Sequence, residues 1–182
     1  MRCSLASLVV YVALSGIADL ARTEDRDATA PQKQAIRIGV YDSRVVACAH
    51  LWTDAVQNRI EAMQAEAEAA EEHGDQKKLG ELRKIMAQHH RKVHHQVLST
   101  APIDDVLQEI KDRLPAIQAK AGVSLLVSKW NEAKLKQYTS AKQVDVTDLL
   151  VNEFKPTPRD QKNYERIKKM KPLSLDKADK IF

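Results

Sequence analysis

Apolar residues recur at steps of three and four positions along two neighbouring stretches of this chain. The first stretch runs from Leu51 to His73 and the second from Leu79 to Val97. Such steps place side chains on one face of a helix. Gly74-Asp75 separates the stretches, and glycine adopts the left-handed backbone that ends many helices. The pattern predicts an antiparallel helical hairpin over residues 51–99, with limbs of roughly 35 Å at 1.5 Å per residue.

The seam of this predicted hairpin contains few large side chains. Residues 65–72 are only alanine and glutamate, and Gly80 falls inside the second limb. A glycine inside a helix costs about 1 kcal/mol relative to alanine. The pattern therefore predicts a projecting arm with a weakly packed, mobile tip.

Shorter runs with a strand-like pattern lie on both sides of the hairpin. Ile36 to Val46 begins with strict alternation, Val123 to Val127 is continuously apolar, and Lys136 to Ser140 is a weaker third candidate. Between them, a helical stripe begins at Ile103, contains Pro115, which is expected to kink it, and ends at Gly122. The order predicts an α+β fold whose body, residues 36–50 and 100–154, has about three strands per chain.

The N-terminus carries the pattern of an export signal. Arg2 precedes an apolar run from Leu5 to Leu14, and small residues follow up to Ala18. This pattern predicts a signal peptide over residues 1–18, cleaved near Ala18, and a flexible polar lead-in over 19–35. An uncleaved N-terminal anchor is the alternative. After cleavage Cys48 is the one remaining cysteine, which we expect to be a buried thiol rather than an intermolecular bridge.

The C-terminal residues 155–182 form a basic extension. They contain nine Lys or Arg and four Asp or Glu. One interpretation is contact with an anionic membrane surface or an acidic partner, and the other, which we favour, is a solvated tail. Nucleic acid is not expected as a partner because no aromatic residues are interleaved with the basic run.

Four histidines, at positions 89, 90, 94 and 95, lie within seven residues of the second limb. Only His90 and His94 have the four-residue spacing that would let them share a metal ion on one helix face. No glutamate of the HExxH type lies between them, and a two-ligand helical site would need further ligands from another chain or limb, so no metal is predicted. A further alternative is a pH response, since His89 falls in the seam.

No motif of catalysis is present: the chain has no GxSxG, no P-loop and no paired cysteines. We therefore expect neither an enzyme nor a cofactor.

The order of elements resembles the Skp (OmpH-like) family of periplasmic chaperones. The resemblance covers roughly residues 36–154, and its matching segments are Ile38 to Val45, Pro102-Ile103, Ala121 to Val127 and Val144 to Leu150. The last of these includes Asp145-Val146-Thr147-Asp148, which is typical of a cap on a short helix.

The resemblance implies a periplasmic, ATP-independent holdase for unfolded outer-membrane proteins. In such a protein three chains pool their strands into a small barrel, and three helical arms surround the client. The positions that would bind the client are Ile60, Met63, Leu79, Leu82, Met86 and Val93. Those that would build the trimeric body are Ile36, Ile38, Val40, Leu125 and Val127. Two other functions stay open: a periplasmic metal- or stress-binding protein that uses His90 and His94, and a trimeric scaffold that binds through its basic tail.

Overall fold

A three-stranded parallel sheet organises the body. The computed structural model describes residues 36–181, which belong to one compact unit. Strand β1 (Arg37–Tyr41) lies between β2 (Leu125–Ser128) and β3 (Lys142–Asp145), and both pairings are parallel. Together with the helices, this sheet confirms the predicted α+β class and the number of strands. The predicted signal peptide (1–18) and lead-in (19–35) lie outside the described residues.

Nine α-helices occur in the described part of the chain, and none of them is long and apolar enough to cross a membrane. They are α1 (Ser43–Leu51), α2 (Asp54–Glu72), α3 (Gln76–Leu98), α4 (Asp104–Glu109), α5 (Leu114–Ala121), α6 (Glu132–Leu135), α7 (Thr147–Asn152), α8 (Pro158–Lys169) and α9 (Leu175–Ala178). Short 3₁₀ turns follow α4, α6 and α9, at Lys111–Arg113, Lys136–Tyr138 and Asp179–Ile181.

The strand-like run from Ile36 to Val46 is only partly a strand, because α1 begins directly after β1. The Asp42 side chain accepts a hydrogen bond from the backbone N–H of Arg44 and so caps the helix. Val45 and Val46 are helical and fully buried. Their β-branched side chains favour strands only weakly, and the burial gained in α1 outweighs that preference.

The first limb of the hairpin starts later than predicted. Leu51 ends α1, and Thr53 Oγ1 donates to the His50 carbonyl at 2.8 Å before α2 begins at Asp54. Trp52 falls in this break and is 44% exposed. The predicted stop at Gly74 is confirmed, with φ at +71°.

In the second half of the body the predicted end of the helix at Gly122 is confirmed, but the predicted third strand is not. Pro115 lies in the first turn of α5, where its missing N–H costs no hydrogen bond, and Gly122 ends α5 with φ at +63°. The predicted strand at Lys136 to Ser140 is wrong, because a 3₁₀ turn occupies 136–138 and β3 follows it. Asp145 Oδ1 accepts from the Thr147 N–H at 2.8 Å, so the predicted cap of α7 is confirmed.

The core encloses residues that the sequence pattern placed elsewhere. Tyr164 of α8 is 3% exposed and packs in the same buried cluster as α1, so the prediction of a solvated tail is wrong. Cys48 is a free, buried thiol, as predicted, and burial is the main cause that raises its pKa to about 11.

The positions predicted to build an oligomeric body differ in their exposure. Ile38 and Val127 are buried within the chain, and Val40 and Leu125 are half-buried. Ile36, just before β1, is 58% exposed. Of these five side chains, only that of Ile36 therefore exposes most of its surface to a partner.

Candidate functional site

Helices α2 and α3 contact each other across the turn at Gly74. Near the turn a small apolar cluster forms from Ala70, Leu79 and Leu82. Two ion pairs join the helices beside this cluster: Lys78 Nζ lies 2.7 Å from Glu66 Oε1, and Arg83 Nη2 lies 3.2 Å from Glu71 Oε1. Two of the predicted client-binding positions, Leu79 and Leu82, are therefore used to pack the helices together.

Farther from the turn, three other predicted positions line a groove between the same helices. Ile60 and Met63 of α2 face Met86 of α3 across a volume of about 290 Å³. All three side chains are half-buried, and the neighbouring Ile85 is 50% exposed. Methionine is unbranched and polarisable, so it adapts to apolar surfaces of varied shape. The groove thus presents apolar contact area without a fixed shape.

Val93, the last of the six predicted positions, lies away from this groove. It lines a separate cavity of about 50 Å³ at the root of the helices, together with Leu51 and Val56. The structure therefore brings together Ile60, Met63 and Met86, places Leu79 and Leu82 in the packing near the turn, and places Val93 at the root.

His89 lies between the groove and the root cavity, and lines both. Burial lowers the pKa of its imidazole, and the positive charges of Arg59 and Lys92 lower it further, as do His50 and His90. Because the ordinary pKa of histidine is about 6.5, His89 is neutral at pH 7. His89 itself therefore adds no charge to the groove at neutral pH.

His90 and His94 lie one helical turn apart on α3, as their spacing predicts. Their ring centroids are 4.5 Å apart, with 53° between the ring planes. Burial, followed by His90 and His95, lowers the pKa of His94. Within residues 36–181 no group of three or more His, Cys, Asp or Glu comes close enough to hold a metal ion. The pair supplies two ligands, whereas structural zinc sites use four.

A buried ion-pair cluster at the carboxyl end of β1 was not predicted. Asp42 and Arg44 are each 2% exposed in their side chains, and Arg44 Nη2 lies 3.1 Å from Asp42 Oδ2. Trp130 Nε1 donates to Asp42 Oδ1 at 2.9 Å, and Lys129 Nζ lies 2.7 Å from Oδ2. Arg44 and Lys129 also lie over the Trp130 ring, each 4.7 Å from its centroid. The cluster therefore ties the end of β1 to the segment after β2.

The electrostatics of this cluster favour the ionised carboxylate. Burial alone would raise the pKa of Asp42, but hydrogen bonds from Arg44, Lys129 and Trp130 outweigh burial and hold that pKa below its usual value. Arg44 also donates to the carbonyls of Met170, at 2.9 Å, and Ile167, at 3.2 Å. The cluster thus connects the sheet to the end of α8 and has a structural role.

One sequence signal could have located the cluster. Asp42 directly follows β1, and Lys129 directly follows β2. The carboxyl ends of neighbouring parallel strands meet at one edge of a sheet, so the two residues would have been placed together had the parallel pairing been foreseen.

A cleft of about 480 Å³ opens beside the cluster, where β1 and β2 end near the loop before α4. Ser128 Oγ lies 3.2 Å from Ser43 Oγ within it. Burial, and then Asp104, raise the pKa of Tyr41 to about 12, so its hydroxyl stays protonated at neutral pH. No histidine is among the described residues that line the cleft, so its serines lack the usual base that activates a nucleophile.

Comparison of the chain with protein-family models, with curated proteins and with solved structures gave no match. The resemblance to the Skp (OmpH-like) family stays a prediction from the sequence motifs.

Proposed function

We propose that this protein is an ATP-independent holdase of the Skp (OmpH-like) type that binds unfolded outer-membrane proteins in the periplasm. The observation that carries the proposal is the thin packing of α2 against α3. Of the nineteen residues of α2, only Val56 and Ala70 are buried. Apolar side chains along the helix pair are therefore left half-exposed, in the groove of Ile60, Met63 and Met86.

Such a helix pair suits a client that must be held and released without a nucleotide. Each contact with a half-buried methionine or isoleucine is weak, so affinity comes from many contacts that exchange independently. Elements with few buried apolar contacts also open locally at low cost in free energy. We propose that α2 and α3 form an antiparallel arm whose groove contacts apolar segments of the unfolded chain.

The sheet supports a trimeric assembly in this proposal. Among the described strands, β2 and β3 each pair with β1 alone, so each has one edge without a strand partner. Exposed strand edges favour pairing with another chain, and parallel sheets are rarely left uncovered. We propose that three chains join at these edges into a small barrel, with the half-buried Leu125 of β2 near one contact; Ile36 and Val40 belong to the central strand and its start.

The test is suppression of aggregation when an outer-membrane β-barrel protein is diluted from urea. We expect the protein to keep the client soluble at near-stoichiometric amounts of trimer. Replacing Ile60, Met63 and Met86 by glutamine should weaken client binding by about tenfold or more, because full burial of one such side chain contributes about 1.5–3 kcal/mol and partial burial contributes less.

A matched control carries Ala62→Gln, Ala65→Gln and Ala69→Gln, three exposed positions of α2 outside the groove. This control should protect the client as well as the wild type does. If the wild-type chain fails to suppress aggregation, the holdase proposal is wrong. If it succeeds but both triple variants bind equally, the groove is not the binding surface. Native mass spectrometry tests the trimer separately, and a monomer would contradict the barrel.

A further inference from the structure

Helix α8 is held on the body by one face only. Tyr164 is buried in the core, and Arg44 binds the carbonyls of Ile167 and Met170 at its end. At the start of α8 the Thr157 backbone N–H and the Asp160 side chain form one half of a capping box, at 2.8 Å. The buried Tyr164 and the two carbonyls bound by Arg44 therefore fix which face of the helix points outward.

The outward face carries a basic stripe, which we define as Arg159, Lys162, Arg166 and Lys169. Their spacing of three, four and three residues places them on one side of the helix, and all four are exposed. None of the four forms an ion pair with a carboxylate in the described part of the chain. At 1.5 Å per residue the stripe is about 15 Å long.

Three acidic residues nearby contact groups other than the basic stripe. Asp160 accepts from Thr157 in the capping box, Glu165 pairs with Lys168, and Asp179 contacts His95 and Arg91. Residues 155–182 carry nine basic and four acidic side chains, a net +5, while the whole chain carries +4, so residues 1–154 carry −1. The excess positive charge of the molecule is thus concentrated in this segment.

Exposed apolar side chains follow the stripe along the chain. Met170 is 46% exposed, Leu175 49% and Ile181 50%, and these are three of the six large apolar residues that are exposed in the described part. Residues 165–181 contain no aromatic side chain on which a base could stack. Basic groups combined with exposed aliphatic side chains are typical of segments that lie on a membrane surface.

We propose that the basic stripe of α8, together with Met170, Leu175 and Ile181, docks on the surface of an anionic lipid bilayer. The cations contact lipid headgroups, and the aliphatic side chains enter the interface beside them. The convex face of a helix suits a flat, multiply charged surface better than it suits a single ligand. This inference does not depend on the proposed chaperone activity, because the groove of Ile60, Met63 and Met86 takes no part in it.

The test measures partition of the full chain onto vesicles of phosphatidylcholine with and without phosphatidylglycerol. The stripe variant carries Arg159→Gln, Lys162→Gln, Arg166→Gln and Lys169→Gln; glutamine keeps a high helix propensity. Each basic residue near an anionic leaflet contributes about a fivefold change in partition, so we expect a loss of roughly several hundredfold for the four together. Thermal unfolding of each variant checks that the fold is kept.

The matched control removes the same charge from exposed positions of the body. It carries Lys111→Gln, Lys120→Gln, Lys136→Gln and Lys142→Gln, and we expect less than about a threefold loss, since these exposed positions belong neither to α8 nor to the residues that follow it. A third variant, Leu175→Ser with Ile181→Ser, should reduce partition by about tenfold.

Several results would overturn the proposal. Equal losses in the stripe variant and the charge-matched control would mean that the net charge, not this face, attracts the vesicles. Equal binding to vesicles with and without phosphatidylglycerol would show that the stripe does not bind anionic lipid. The proposal is also overturned if the stripe variant keeps its vesicle binding but loses binding to polyglutamate or to a DNA duplex, because the partner is then an acidic protein or a nucleic acid.

Discussion

Two consecutive helices, α1 and α2, differ sharply in how much of their surface is buried. In α1, seven of nine residues are buried, including Val45 and Val46, whereas in α2 two of nineteen are. The first helix contacts α3, α4, α7 and α8, and the second contacts mainly α3. Helix α1 is thus held by contacts with several other helices of the body, whereas α2 is held mainly by one narrow seam with α3.

The same contrast appears in the ion pairs of the two regions. Asp42 and Arg44 are each 2% exposed, whereas Glu71 and Arg83 are more than 60% exposed. A buried pair cannot lose one member without leaving a charge in a poorly solvated site, whereas water replaces a partner at an exposed pair. A rigid body beside a weakly packed helix pair is the arrangement that the proposed holding activity needs.

The largest expected effect comes from breaking the buried pair. Arg44→Ala should lower the free energy of unfolding by about 3–5 kcal/mol, because Asp42 loses a buried partner and two carbonyls at the end of α8 lose their donor. Urea unfolding followed by circular dichroism measures this loss. The counterpart in the pair of α2 and α3, Arg83→Ala, should cost less than about 1 kcal/mol. Equal losses in the two variants would show that the regions do not differ as described.

A smaller effect, of opposite sign in the two regions, is expected from replacing a glycine by alanine. A Cβ at Gly39 would lie 2.8 Å from Leu126 Cδ2 and 3.1 Å from side-chain atoms of Val123 and Val146. Overpacking of this kind costs about 1–3 kcal/mol. At Gly80 of α3 no atom lies within 4 Å of the new Cβ, so Gly80→Ala should stabilise the protein by about 1 kcal/mol. Chemical unfolding of both variants measures the two changes, and a shared sign would count against the comparison.

The smallest expected effect is a dependence on pH that is confined to α2 and α3. The pKa of His89 lies below its ordinary value, so between these values the unfolded chain binds more protons than the folded one. Stability is therefore lost as the pH falls below about 6.5. The lowered pKa of Asp42 has its consequence at lower pH, since its contribution is lost only as the pH falls below the ordinary value of 3.8.

Hydrogen exchange of the α2 and α3 amides at mildly acidic and neutral pH, corrected for intrinsic rates, measures this loss. We expect protection to fall in these helices and to stay constant in α1. His89→Gln should reduce the pH difference, and His89→Gln together with His94→Gln should remove it, because the pKa of His94 on the same helix is lowered as well. His73→Gln, at the exposed end of α2, serves as the matched control for the substitution itself. Loss of protection in α1 over the same range would place the pH-sensitive group in the body instead.

Residues whose preference is local were predictable from the sequence. Gly74 and Gly122 end helices because a left-handed backbone is cheap for glycine, and Asp145 caps α7 through its neighbour Thr147. Of the candidate binding positions, Ile60, Met63 and Met86 were predicted to lie in the apolar seam of the two helices, and in the structure they line one groove. Periodicity could not tell which seam residues would be buried between the two helices, as Leu79 and Leu82 are. Their burial depends on the side chains of the facing helix.

The sequence by itself determined the helix ends at Gly74 and Gly122 and the excess positive charge of the last residues, because each follows from backbone preference or composition. Only the tertiary structure decided that Val45 and Val46 are helical, that β1 lies between two parallel partners and that α8 packs on the body. These outcomes depend on contacts between residues far apart in the chain, such as Arg44 with the carbonyls of Ile167 and Met170. Such contacts are set by burial and charge pairing in the folded state, and no local pattern in the sequence indicates them.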